Sequence, residues 1–118
     1  MGQLFAALLI PAACAHHRAE TAGADAEIVL TIENHHWNDV VVSVLHDGVV
    51  DRLGLVQAVK TSRLLISSRR LSNGLIQLRA HAVGAPDDHT TETFSIRPGQ
   101  EIQWTLESDL SRSSVAVH

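Results

Sequence analysis

The chain is short of aromatic residues. Among 118 residues there is no Tyr, two are Phe and two are Trp, and past the first few positions only Trp37, Phe94 and Trp104 remain. Sugar-binding modules commonly present flat exposed rings, so a carbohydrate-binding role is disfavoured. A basic excess is missing too: nine Lys and Arg stand against 13 Asp and Glu, a net charge of −4, which argues against a nucleic-acid partner. Cys14 is the only cysteine, so no intramolecular disulfide can form. No G-x-S-x-G elbow and no HExxH, CxxC or His-x-His spacing occurs, which leaves nucleophilic and zinc-type catalysis without support. No segment keeps a 3.6-residue period, so helix content should be minimal. The longest apolar run is too short to cross a bilayer as a helix.

What the chain does contain is a hairpin signal. Asp47-Gly48 lies between two β-branched runs, and a two-residue type I′ turn needs positive φ at both central positions, which this pair tolerates. A two-residue loop sets Leu45 against Val50, Val44 against Asp51, Val42 against Leu53 and Val40 against Leu55. Opposed residues share a face, so Val40, Val42, Val44, Leu53 and Leu55 should form an apolar side. Val41, Ser43, Leu45, Val50, Arg52 and Gly54 form a mixed one. One buried and one partly wet face suits an antiparallel sheet in a sandwich.

At the amino terminus, the apolar run of residues 4–15 precedes the polar His16-His17-Arg18. Its length fits a signal peptide. Ala12-Ala13-Cys14 resembles the end of a bacterial lipobox, whose Cys receives diacylglycerol, and Ala13-Cys14-Ala15 reads equally as an A-x-A cleavage site. Pro11 stands where a lipobox usually has Leu, and no Lys or Arg precedes the run, which leaves open a start upstream of Met1. The expectation is a leader over residues 1–15 with lipidation at Cys14, a flexible tether over 16–25 and a single β domain over 26–118. At 45% hydrophobic residues, one core is within reach at this length.

Alternation continues through the domain. Ile28, Leu30 and Ile32 predict a strand over 27–33, and the hairpin strands follow at 40–46 and 49–56. Further strands are expected at 62–67, at 75–83 with Ile76, Leu78, Ala80 and Ala82 inward, and at 91–96 with Phe94 and Ile96 buried. A seventh at 101–107 points Ile102, Trp104 and Leu106 inward. Asn73-Gly74 and Arg97-Pro-Gly-Gln100 supply turns, and residues 115–117 form a candidate terminal edge strand. The fold class that follows is all-β: an antiparallel β-sandwich of about seven strands, of immunoglobulin-like or related topology. Trp37-Asn-Asp-Val40, Arg52-Leu-Gly-Leu-Val56, Gly74-Leu-Ile-Gln-Leu78 and Ile96-Arg-Pro-Gly-Gln-Glu-Ile-Gln-Trp104 together resemble small exported bacterial β-sandwich proteins of unknown function. The resemblance implies a fold and an exported location, and no catalytic or binding residue.

Histidine is enriched, at eight residues. His35, His36, His46 and His89, with Asp51, form a candidate ligand set for Zn²⁺ or Cu²⁺. His46 and Asp51 are diagonal neighbours on the hairpin, which suits an ion pair or half of such a site. The bland alternative is histidines solvated in loops. Residues 84–92 carry oxygen ligands suggestive of Ca²⁺ without the EF-hand spacing. Arg63, Arg69 and Arg70 suit either anionic headgroups or the charge that protects an edge strand. Trp37 lies outside the regular alternation, so it is either a lid over one end or, with His35 and His36, a contact loop. The reading that follows is a non-catalytic envelope protein without a cofactor, held to the membrane by lipid on Cys14. It would bind an envelope protein partner or serve as a structural accessory. Metal binding through histidine is the alternative.

Overall fold

A computed structural model describes residues 27–118, so the expectations for the leader, Cys14 and the tether lie outside the described residues. The described residues form nine strands: β1 (Ile28–Asn34), β2 (Val40–His46), β3 (Val49–Val56), β4 (Thr61–Ile66), β5 (Leu75–Ala82), β6 (Asp88–Thr90), β7 (Phe94–Ser95), β8 (Glu101–Leu106) and β9 (Ser114–Val117). The described residues contain no α-helix, only single 3-10 turns at Ser68–Arg70 and Leu110–Arg112.

The strands form two packed sheets. One has the order β4-β1-β8-β9, and the other β3-β2-β5-β6, with β7 also pairing β5. The alternation read from the sequence is what builds the layer between them. Ile28, Leu30 and Ile32 of β1 and Ile102, Trp104 and Leu106 of β8 are buried from one sheet. Val40, Val42 and Val44 of β2 and Ile76, Leu78, Ala80 and Ala82 of β5 meet them from the other. Each fully buried aliphatic side chain contributes ~1.5–3 kcal/mol relative to exposure, so this layer dominates the stability.

Four expectations need correction. First, β1 pairs antiparallel with β4 but parallel with β8 (Val29 opposite Glu101, Asn34 opposite Leu106), so the first sheet is mixed rather than antiparallel throughout. Second, the hairpin register holds only near its turn. Leu45 faces Val50, Val44 faces Asp51 and Ser43 faces Arg52, but Val42 then faces Gly54 and Val40 faces Val56. The extra residue, Leu53, makes a β-bulge, which reverses the sidedness beyond it. Leu55 therefore lies outward, exposed, and Val56 takes the buried place expected of Leu55.

Third, of the strand expected over 91–96 only Phe94 and Ser95 pair, as β7, while a separate strand, β6, forms at Asp88–Thr90 just before it, and the two lie on successive stretches of β5. Between them Thr91 is buried. Its N–H donates to Leu78 O at 2.8 Å, and its Oγ1 accepts the Leu78 N–H at 2.9 Å. A hydroxyl thus substitutes for a ladder carbonyl and ends the pairing. Fourth, with β6 added and with β9 formed at the carboxyl end, the described residues hold nine strands where about seven were expected.

Candidate functional site

One end of the sandwich gathers three loops: residues 35–39 between β1 and β2, residues 57–60 between β3 and β4, and residues 83–87 between β5 and β6. They are joined by polar side chains that a reading of the sequence assigns to solvent. Asn34 closes β1 and is 1% exposed. Its Nδ2 donates to Val56 O, Gln57 O and Asn38 O at 3.4, 3.1 and 3.2 Å, and its Oδ1 accepts the His36 N–H at 2.9 Å. With two amide hydrogens for three acceptors, one of these bonds is shared. Asp39 reaches both other loops: its Oδ1 accepts the Ala58 N–H at 2.9 Å and its carbonyl accepts the Val83 N–H at 2.8 Å. Asn38 Nδ2 donates to Val83 O at 2.9 Å.

His36 is the post at the centre. Its side chain is 4% exposed, and its Nδ1 accepts the Asn38 N–H at 3.0 Å. The ring proton therefore sits on Nε2, which donates to Asp87 Oδ2 at 2.9 Å. Both ring nitrogens are committed, one to each of two loops.

This scaffold holds apolar side chains outward. Trp37 is 78% exposed, Val59 68% and Val83 44%, one from each loop. Trp37 is thus no lid over the core. Val59 has φ of +57°, the left-handed region that costs a β-branched residue about 1–2 kcal/mol. Such strain persists only where the surroundings impose it, and it concentrates at functional positions.

The other candidates are placed elsewhere. His35, beside this end, is bracketed by Glu33 Oε1 at 2.8 Å and Glu107 Oε1 at 3.4 Å. The hydrogen bond to Glu33, then that to Glu107, holds its pKa above the ordinary 6.5. His46 lies at the opposite end of the sandwich with its side chain 8% exposed. The pairing with Asp51 expected from the hairpin is present, Nε2 to Oδ2 at 2.6 Å, and Nδ1 lies 3.0 Å from Asp47 Oδ2. The Asp47 hydrogen bond, then that of Asp51, raises the pKa of His46.

Asp47 is pulled below its usual value chiefly by the hydroxyl of Ser72, and Asp51 chiefly by His46. Arg70 joins Asp51 at 3.4 Å. The Ser72 hydroxyl donates to the same carboxylate that holds His46, an ion-pair network rather than a hydroxyl activated by a base.

His89 sits on β6 opposite Ala80. The five candidate metal ligands therefore fall at three separate places, and among the described residues no three His, Cys, Asp or Glu come together as a cation site. The acidic loop is likewise committed, Asp87 to His36 and Asp88 to Arg79 at 3.8 Å. Arg63 does lie on an edge strand, β4.

The signal in the sequence that marks the site is Trp37 standing outside the alternation. Val59 and Val83 carry no such mark, because their exposure comes from loop conformation. No protein-family model matches the chain, and no curated protein matches it.

Proposed function

We propose that this chain is a non-catalytic binding module of the cell envelope, exported and anchored by lipid on Cys14, that grips a protein partner with its three-loop end. In this reading the sandwich, of immunoglobulin-like or related topology, is the support, and the loops carry the contact, as is common when loops stand on a rigid frame. The observation that carries the proposal is Trp37: a large ring, 78% exposed, on a loop pinned by buried Asn34 and His36. Trp is among the residue types that most often dominate interface energetics, and a loop already fixed loses little entropy on binding. Val59 and Val83 widen the apolar centre, and Lys60, Glu33, His35 and Asp87 supply a polar rim.

The test is a photo-crosslinking side chain in place of Trp37 in intact cells, with the same probe at Thr31 on the outer face of β1 as control. The expected result is one discrete adduct from position 37, absent from position 31 and lost when Val59 and Val83 are changed to Ser. Equal labelling from both positions, or no adduct at 37, overturns the reading. An intact mass from membranes tests the anchor: it should correspond to a chain beginning at Cys14 with added acyl groups.

A further inference from the structure

Five strands lie at the edges of the two sheets among the described residues: β4 and β9 in one, β3, β6 and β7 in the other. Four of them are defended against pairing with another chain. β4 carries Arg63, β3 carries Asp51, Arg52 and the bulge at Leu53, β6 is three residues long and begins with Asp88, and β7 is only two residues long. β9, Ser114-Val-Ala-Val117, has no charge, no proline and no bulge.

Its register with β8 shows which of its backbone groups are unused. Glu101 and His118 exchange both main-chain hydrogen bonds, at 3.1 and 2.9 Å. Because bonded and non-bonded rungs alternate in an antiparallel ladder, Gln103–Ala116 and Thr105–Ser114 are the other bonded rungs. The N–H and C=O groups of Val115 and Val117 therefore point away from β8, toward the open edge. Their side chains, opposite Trp104 and Ile102, face inward. There they form one wall of a cleft of about 430 Å³, with Phe94 and the polar stretch of residues 89–93 on the other wall.

The geometry points to a second copy of this chain as the occupant of that edge, paired antiparallel β9 to β9 about a two-fold axis through Ala116. The sequence is self-complementary about that point: Val-Ala-Val reads alike in both directions, so Val115 meets the partner's Val117 and Val117 the partner's Val115. Both are bonded rungs, giving four main-chain hydrogen bonds with every donor matched to an acceptor. Pairing about such an axis keeps inward residues on one face, so each copy's two valines cover the mouth of the other's cleft. The result is a continuous eight-stranded sheet, an isologous contact that closes on itself. This inference is independent of the loop-end reading, since the loops lie at the end of the sandwich and β9 at its side.

The experiment uses the full chain with Cys14→Ser. Sedimentation should give a mass rising with concentration to twice that of one chain. Val117→Pro removes only an outward N–H, an edge position that tolerates proline, and should return the mass to one chain without shifting the unfolding midpoint. Should Val117→Pro not fold, thiol locking decides. Ala116→Cys sits on the axis in a non-bonded rung, with Cα atoms about 4.5 Å apart, within disulfide reach. It should oxidise to a covalent dimer. Ser114→Cys, whose copies lie about 13 Å apart in this register, should not. A single-chain mass at all concentrations, a dimer indifferent to Val117→Pro, or equal locking at positions 114 and 116 overturns the proposal.

Discussion

His36 and Trp37 are adjacent in sequence and opposite in role. Removing the His36 ring leaves the Asn38 N–H without its acceptor in a part-buried setting and releases Asp87. An orphaned buried group costs about 1–3 kcal/mol, so His36→Ala should lower the urea unfolding midpoint by a corresponding amount. Trp37→Ala, at a side chain in solvent, should change stability by no more than about 0.5 kcal/mol. Equal losses from the two variants would mean that the ring of Trp37 packs on the loop instead of standing clear. The sequence shows His35-His36 as a polar pair in a turn-rich stretch, and nothing in such a pair distinguishes the buried ring from the wet one. Burial there is decided by Asp87, 51 positions later.

At the scale of elements, alternation is readable wherever one face of a strand is buried along its whole length, as in β1, β5 and β8. It fails where the ladder is irregular. A bulge at Leu53 leaves the hydrophobic pattern intact and shifts only the pairing, so Leu53-Gly-Leu-Val56 gives no warning that Val56 and not Leu55 turns inward. The glycine turns were legible, and they are not equivalent. Gly48 and Gly74 have φ of +75° and +73°. A methyl group on Gly48 would meet open space, whereas one on Gly74 would lie 2.8 Å from the carbonyl oxygen of Ile96. The Gly74 carbonyl also accepts the Ile96 N–H at 2.8 Å. Gly48→Ala should therefore cost only the left-handed strain, about 1–2 kcal/mol, and Gly74→Ala should cost clearly more. Denaturant midpoints rank the two, and a milder effect at Gly74 would contradict the close approach described here.

For the molecule as a whole, the paired histidines and carboxylates set how stability varies with pH. His35 and His46 have raised pKa values, so their contribution is complete below 6.5 and is lost as pH climbs through the raised values. Asp47, Asp51 and Asp109 have lowered ones, so theirs is complete above 3.8 and is lost as pH falls through the lowered values. Their contribution to stability should be greatest between 3.8 and 6.5. His46→Gln should flatten the fall on the alkaline side in urea titrations, and an unchanged alkaline limb would exclude the His46 network as its source. The fold class and two-sheet packing were legible at this scale, but the strand order was not. Local pattern says which residues lie inside a sheet and nothing of which distant strand lies beside it. That holds most of all for β1, whose neighbour β8 is parallel and near the other end of the chain. The pairing has a consequence in time. A chain emerging amino end first must hold the apolar stripe of Ile28, Leu30 and Ile32 half covered until Glu101 and the residues after it have been made. Contacts so far apart in sequence form slowly, so the domain stays incompletely folded for longer than one built from local hairpins.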